Sequence, residues 1–290
     1  MKVKNVSFIG LGVMGYPMAG HLIKNRYNVT VFNRTVAKAL KWFEQHNGKI
    51  AKNPGEACSD ADIVFMCVGR DQDIIEVMEG ENGILASAKE GLIIVDHTTA
   101  SAELARKYFR ELREKNIHFL DAPVSGGQAG AENGALSIMV GGENNEFEII
   151  KPVLKSYGKA IELIGPSGSG QIAKMINQIC IAGLVQGLSE GLAFGKKANV
   201  DMEKVLSVIS KGAAQSWQME NRYKTMIDGK FDYGFAVDWM RKDLSICFKE
   251  AKKNGSLLPI TEIVDKFYKK IQQNGGNRLD TSSLMTLVDK

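Results

Sequence analysis

Cysteine is scarce, and the four present, Cys58, Cys67, Cys180 and Cys247, lie far apart with no CxxC or Cys/His spacing. A zinc site needs about four convergent ligands. His21, His46, His97 and His118 do not supply them by spacing, so no metal is expected. Most of the cysteines sit inside apolar runs such as IVFMCV and NQICIAG, which reads as buried thiols in a reducing compartment and not as a disulfide framework. Charge of one sign is not concentrated either. The 37 basic and 33 acidic residues are spread along the chain and leave a formal net charge of +4. No block of like charge could track a phosphate backbone, so a nucleic-acid partner is not expected, whereas anionic small molecules remain compatible. No internal repeat or low-complexity segment is apparent. The longest apolar stretch is interrupted by polar residues before the roughly 20 that a membrane helix needs, so no membrane partner is expected. The first strand is expected within a few residues of Met1, which leaves no signal or transit peptide and makes the cytoplasm the expected location.

What is present suffices for a folded enzyme. Hydrophobic residues make up 44% and charged residues 24% of 290, enough apolar surface for a core and too much for disorder. At this length two domains are favoured over one. From Lys4 to about Gly165, short apolar runs alternate with amphipathic helical ones, the pattern of βαβ units around a parallel sheet. The candidate strands are Val6 to Ile9, Asn28 to Phe32, Asp62 to Val68, Leu92 to Asp96, His118 to Asp121, Leu136 to Val140 and Lys159 to Leu163. Gly168, Ser169 and Gly170 then form a flexible joint, and everything downstream reads as helix. The predicted architecture is an α/β Rossmann-type N-terminal domain over 1–165 and an all-α domain over 166–290, joined by a long interdomain helix.

That helix, roughly Gly170 to Asn199, would be about 45 Å long at 1.5 Å per residue. It is apolar on most faces and is therefore expected to be buried on several sides, with Ala182, Gly183, Gly187, Gly191 and Gly195 admitting close neighbours. Further helices are predicted near Asp201 to Ser210, Ala236 to Lys253 and Pro259 to Gln273, the last with proline in its first turn and Gly275 just past its end.

The segment VSFIGLGVMG places Gly10, Gly12 and Gly15 between a strand and an amphipathic helix, the context in which GxGxxG is informative. Gly10 permits the tight turn, Gly12 lets the backbone approach a pyrophosphate, and Gly15 allows close helix packing. The helix N-terminus then offers free N–H groups to the phosphates. Leu11, Val13 and Met14 complete this turn, and Cys67, Val68 and Gly69 at the end of the third candidate strand join the cofactor-binding set. After the second strand, where an NAD-binding protein usually offers a carboxylate to the ribose, the residues are Asn33, Arg34 and Thr35. A carboxylate would repel a 2′-phosphate, whereas a guanidinium binds it, so NADP(H) is expected over NAD(H), with NAD still possible. The competing reading of Arg34 is a solvated surface arginine.

Three more clusters stand out. DAPVSGG presents the Ser125 hydroxyl with the flexible amides of Gly126 and Gly127, a suitable cradle for a carboxylate. Lys174 lies near the start of the long helix, with Asn177 and Gln178 about one turn on. Lys242 and Asp243 sit in a later helix. Taken singly, SGG is a loop, Lys174 a side chain that snorkels to the surface, and Lys242 with Asp243 a solvated face.

Together, FIGLGVMGYPMAGHLIK, DAPVSGG, GSGQIAKMINQ and RKDL, in this order across essentially the whole chain, resemble the 3-hydroxyacid dehydrogenase family, which includes 3-hydroxyisobutyrate dehydrogenases, tartronate semialdehyde reductases and glyoxylate/succinic semialdehyde reductases. The resemblance implies an active site in the cleft between a Rossmann-type and an all-helical domain. It implies Lys174 as the catalytic lysine, Ser125, Gly126 and Gly127 holding the substrate carboxylate, and Thr99 near the nicotinamide. Phe235, Lys242 and Asp243 would complete the cofactor and substrate walls, with Asp243 pairing with Lys174 or holding its neighbours in place. Many relatives carry Asn four residues after the lysine. Here that position is Gln178, preceded by Asn177 as in tartronate semialdehyde reductases, so the role of orienting substrate passes to Gln178.

The implied chemistry is hydride transfer to the carbonyl of a small carboxylate-bearing aldehyde, with Lys174 as proton donor. An unperturbed lysine titrates near pKa 10.4, so oxidation should speed up toward alkaline pH. An imine reductase and a non-catalytic NADP-binding module are the alternatives, and the lysine argues against both. A 6-phosphogluconate dehydrogenase would need a much longer helical part. A homodimer or homotetramer is expected from the small-residue helix and family habit.

Overall fold

A computed structural model describes residues 3–289. Its strands are β1 (Asn5–Ile9), β2 (Asn28–Phe32), β3 (Lys49–Ile50), β4 (Ile63–Met66), β5 (Ile93–Asp96), β6 (His118–Asp121), β7 (Val124–Ser125), β8 (Leu136–Gly141) and β9 (Gly158–Gly165). They form one sheet in the order β3-β2-β1-β4-β5-β6-β8-β7, with β9 pairing β8. The first six strands are mutually parallel, β8 runs antiparallel to β6 and β7, and β9 runs parallel to β8. The helices of this part are α1 (Gly15–Lys24), α2 (Val36–His46), α3 (Pro54–Cys58), α4 (Asp71–Glu79), α5 (Ala102–Arg113), α6 (Gly127–Glu132) and α7 (Asn144–Leu154).

Side chains along a strand alternate between its faces, and here both faces are covered. Phe8, Phe65 and Val95 pack with Leu22 of α1 and Trp42 of α2, while Ile9, Val64, Met66 and Ile94 pack with Tyr108 and Leu112 of α5. Ile63–Met66 and 93–95 are buried on both faces, which is why these central segments read as continuous apolar runs. Each fully buried Ile, Leu or Phe contributes roughly 1.5–3 kcal/mol. The chain diverges to β2 and β4 on either side of β1, so the Gly10 turn lies at a topological switch point, where open α/β sheets bind ligands. Two strands escape the sequence reading, β3 and β7, because two residues carry no periodicity. Ser125 accordingly lies in β7, paired with Ser137, and not in a free loop.

The chain divides into two compact units, the first ending at Lys174 and the second beginning at Met175, within α8 (Ser169–Lys197). The second unit continues with α9 (Met202–Ile209), α10 (Trp217–Ile227), α11 (Val237–Asn254), α12 (Pro259–Gln273) and α13 (Met285–Val288). Among its described residues no strand occurs, only an isolated bridge between Ala236 and Asp280. α9 and α10 are capped by Asp201 and Ser216, whose side chains accept from Lys204 N–H and Met219 N–H. α12 starts at Pro259 as expected. α10 is absent from the sequence reading. Ala182 and Val185 pack with Val237, Met240, Leu244, Val264 and Tyr268, and Leu192 packs with Leu206, Met219 and Met226.

Two expectations need correction here. α8 is not buried on all sides: Ile176, Leu184 and Phe194 are 59%, 46% and 76% exposed, and a Cβ on Gly183, Gly187 or Gly191 would meet nothing within 4 Å. Gly183, Gly187 and Gly191 therefore admit no neighbour among the described residues, whereas Ala182 packs against α11 and α12 and Gly195 packs on Met202. The buried-thiol reading holds for Cys58 and Cys247 but fails for half-buried Cys67 and exposed Cys180. Cys180 lies on the same uncovered face. α8 is long and apolar enough to cross a bilayer by length and composition alone. Its Gln171, Lys174, Gln178, Gln186 and Ser189 are buried in protein, which is how a core helix behaves.

Candidate active site

The glycine turn is held by sterics and by one amide. Gly10 has φ +95°, and its N–H donates to Phe32 O at 2.9 Å. A Cβ on Gly15 would overlap the Gly10 carbonyl oxygen and lie 2.8 Å from the Phe8 ring, whereas one on Gly12 would meet nothing within 4 Å. Only the middle glycine therefore opens outward, as a backbone that receives a pyrophosphate requires. Leu11 is buried in the core, and Val13 is exposed. Leu11 N–H donates to Asn33 Oδ1 at 2.8 Å, and Asn33 Nδ2 donates to Thr35 O at 3.0 Å, so Asn33 braces the turn against the end of β2. The Arg34 side chain is 82% exposed, with Nη1 3.9 Å from both Asp73 and Glu76 of α4.

The ends of β4, β5 and β6 form a second, buried group. Cys67 N–H donates to Ile9 O, and Val68 N–H donates to Thr98 Oγ1 at 3.0 Å. Asp96 Oδ1 accepts from Thr98 N–H at 2.9 Å. Asp121 accepts from Gly168 N–H and Gln171 N–H at 2.7 and 2.9 Å, which caps the start of α8. Lys174 follows on that helix and is 7% exposed. Beyond β7, Gly126 and Gly127 have φ +132° and +61°, and a Cβ on Gly127 would meet nothing within 4 Å. The amides after Ser125 are thus presented in a conformation that favours glycine.

The second unit holds its own cluster. Asn177 Nδ2 donates to Gln178 Oε1, and Gln178 Nε2 donates to Asp243 Oδ2, both at 2.7 Å. Lys242 Nζ lies 3.0 Å from Asp243 Oδ1 and over the Trp239 ring. Asp243 thus bridges Gln178 and Lys242. Gln178 is buried and ties Asn177 to Asp243. Phe235 N–H donates to the buried Asp280 carboxylate at 2.8 Å. No group of His, Cys, Asp or Glu suited to a metal ion occurs among the described residues.

Two family models cover this geometry. The "NAD binding domain of 6-phosphogluconate dehydrogenase" matches residues 5–165, and the "NAD-binding of NADP-dependent 3-hydroxyisobutyrate dehydrogenase" matches residues 168–288. The 2-hydroxy-3-oxopropionate reductase of Escherichia coli is 36% identical over 98% of this chain and 97% of its own. The chain belongs to the 3-hydroxyacid dehydrogenase family. Another relative, an "uncharacterized oxidoreductase" of Shewanella frigidimarina, is 59% identical over 98% of both chains. The fold matches that of Mycobacterium tuberculosis 3-hydroxyisobutyrate dehydrogenase, solved with L-serine, at a TM-score of 0.87, 24% identity and full coverage of both chains. As a 3-hydroxyacid dehydrogenase, the protein is an oxidoreductase with an NAD(P)-binding domain.

Within this 3-hydroxyacid dehydrogenase the sequence reading gave no site role to Asp96, His97, Asp121, Tyr157 or Gln171. Their signal was faint: polar residues at the ends of apolar strands, and a glutamine among apolar neighbours. His97 Nδ1 lies 2.6 Å from Ala122 O, which can only accept, so Nδ1 carries the proton and Nε2 accepts from Tyr157 OH at 2.9 Å. Burial lowers the His97 pKa to about 4 and raises those of Asp96 and Asp121 to about 7 and about 6, the Asp121 shift being opposed by its backbone donors. An aspartate with a raised folded-state pKa contributes stability below its unfolded value near 4 that is lost as pH rises through about 7. Asp96→Asn should therefore gain stability over the parent as pH goes from 5 to 8, by roughly 2–3 kcal/mol. Denaturant midpoints at the two pH values measure this, and parallel profiles would show that Asp96 does not bury a charge.

Proposed function

We propose that the protein is an NADP(H)-dependent reductase that interconverts a small carboxylate-bearing aldehyde and its hydroxyacid, with Lys174 as general acid and base. The carrying observation is the nearly complete burial of Lys174 on a helix whose first turn is fastened to the ends of β5 and β6. Burial on a fastened helix fixes where the ammonium sits, as a positioned proton donor requires. The glycine turn from Gly10 to Gly15, with Leu11, Val13 and Met14, would hold the pyrophosphate. Cys67, Val68, Gly69 and Thr99 would line the nicotinamide side, and Arg34 with Thr35 would take the 2′-phosphate. NADPH, when bound, supplies the hydride. Lys174 then gives its proton to the carbonyl oxygen as negative charge grows there, and its amine takes a proton back in the reverse direction. Ser125, Gly126 and Gly127 hold the carboxylate, with Asn177 and Gln178 orienting the substrate and Phe235, Lys242 and Asp243 completing the walls. Glyoxylate, succinic semialdehyde and three-carbon or branched semialdehydes fit this reading, and the name of the E. coli relative supports 2-hydroxy-3-oxopropionate. The test is a panel of these acids and a cyclic imine with NADPH and NADH. Turnover of an acid is expected, and imine turnover alone would defeat the proposal.

Arg34 carries the cofactor preference. A charge-assisted phosphate contact is worth roughly 1.5–3 kcal/mol, so Arg34→Ala should weaken NADPH about tenfold or more and leave NADH nearly unchanged. Asp73 and Glu76 compete with the phosphate for this guanidinium. Their joint change to Asn and Gln should tighten NADPH about twofold to fivefold at low ionic strength and not at high salt. Equal effects on both cofactors would remove the case for phosphate recognition.

A second copy of the chain is the proposed occupant of the uncovered α8 face, where exposed Ile176, Leu184 and Phe194 flank open glycines. Size-exclusion chromatography should show a dimer or tetramer that Leu184→Glu with Phe194→Glu converts to monomer. A monomeric parent protein would refute it. The cytoplasm is the proposed location, which cell fractionation would test.

A further inference from the structure

Two buried groups that the proposed chemistry leaves unused tie together the segments it does use. Gln171 Oε1 accepts from Ala100 N–H at 3.0 Å, and its Nε2 donates to Thr98 O at 2.7 Å. One amide therefore clamps the peptide groups on either side of Thr99. The Gln171 N–H and the Gly168 N–H both donate to Asp121, at the end of β6. Gln171 and Asp121 are 1% and 0% exposed. Their surroundings leave no slack: a Cβ on Gly170 would lie 2.7 Å from Asp121 O, and one on Gly141 would lie 2.6 Å from Asp121 Oδ1. The far side of the loop is fixed as well, since Thr98 N–H donates to Asp96 and Thr98 Oγ1 accepts from Val68 N–H.

We propose that Gln171 and Asp121 are positioning residues that set the depth and rotation of the Lys174 ammonium relative to the Thr99 loop. Lys174 follows Gln171 by three residues and so lies on nearly the same helix face. A single hydrogen bond at a helix start would leave the helix free to slide or turn. A two-point amide clamp on the loop, together with a carboxylate that takes two backbone amides, removes both motions. Proton donation to a carbonyl oxygen is sensitive to such motion, because a displacement of about 1 Å can cost on the order of 10²-fold in rate. This inference rests on Lys174 as proton donor and Thr99 as a nicotinamide-side residue.

The test uses Gln171→Leu and Gln171→Glu beside Lys174→Ala in the full-length enzyme. Gln171→Leu keeps the shape and loses both amide bonds. It should lower kcat by about tenfold to a hundredfold, with KM for the acid and Kd for NADPH within about twofold of the parent. Gln171→Glu keeps the acceptor for Ala100 N–H but gains a donor for Thr98 O only when protonated. Its kcat relative to the parent should therefore recover as pH falls, and that of Gln171→Leu should not. The Asp121 and Asp96 carboxylates favour the protonated glutamic acid, and the Lys174 ammonium opposes it. If Gln171→Leu fails to fold, the pH dependence of Gln171→Glu decides alone. Parent-like kcat in Gln171→Leu, an equal loss of kcat, NADPH affinity and melting temperature, or no recovery of Gln171→Glu on acidification would overturn the positioning role while an inactive Lys174→Ala leaves the proposed function standing. A fully active Lys174→Ala would overturn both.

Discussion

Lys174→Ala is expected to lower hydride transfer to the acid substrate by about 10²–10⁴-fold, the range that a positioned proton donor contributes. Without the ammonium, the negative charge that grows on the carbonyl oxygen must be met by water or by fixed dipoles. NADPH binding should persist, because the glycine turn and Arg34 belong to other elements. Single-turnover kinetics with a separate NADPH titration resolve the two quantities. Lys174→Arg should not restore the rate in the oxidative direction, since a guanidinium stays protonated and does not act as a base in proteins. Near-parental turnover by Lys174→Ala would dismiss the lysine as the acid.

Gly15→Ala and Gly12→Ala should separate stability from affinity. The first places a methyl group against the Gly10 carbonyl oxygen and the Phe8 ring, so the start of α1 must withdraw. Overpacking of this kind costs about 1–3 kcal/mol. Because the helix N–H groups move with it, NADPH affinity should fall about tenfold or more. The second adds a methyl group where nothing lies within 4 Å, so the melting temperature should hold while the cofactor is obstructed. Calorimetry and cofactor titration read both effects. Full NADPH affinity in Gly12→Ala would mean that no pyrophosphate lies on this turn.

The strands β4 and β5 were legible as short apolar runs because both of their faces are buried, whereas β2 and β8 were legible from the alternation of buried with exposed or half-buried residues. The α9, α11 and α12 helices were legible from periodicity and end signals such as Pro259 and Gly275. β3 and β7 were not, since two residues hold no pattern and form only because a neighbouring edge offers hydrogen bonds. α10 was missed although Ser216 caps it, because few of its apolar residues are buried. The open face of α8 was misjudged, because apolarity says that a surface avoids water and not which molecule covers it.

The residues of the candidate site divide in the same way. Gly10, Gly12, Gly15 and Arg34 stand close to a strand end in the chain, and local order alone revealed them. That Asn33 braces Leu11, that Gln178 joins Asn177 to Asp243, and that Gln171 clamps the Thr99 loop depend on hydrogen bonds between segments distant in sequence or on the rotamer of one amide. By itself the sequence determined the family, the alternation of the longer strands and helices and the glycine turn, because these follow from ordered motifs, local periodicity and backbone sterics. Only the tertiary structure decided which buried polar groups satisfy one another, because a buried donor must find an acceptor wherever the fold brings one.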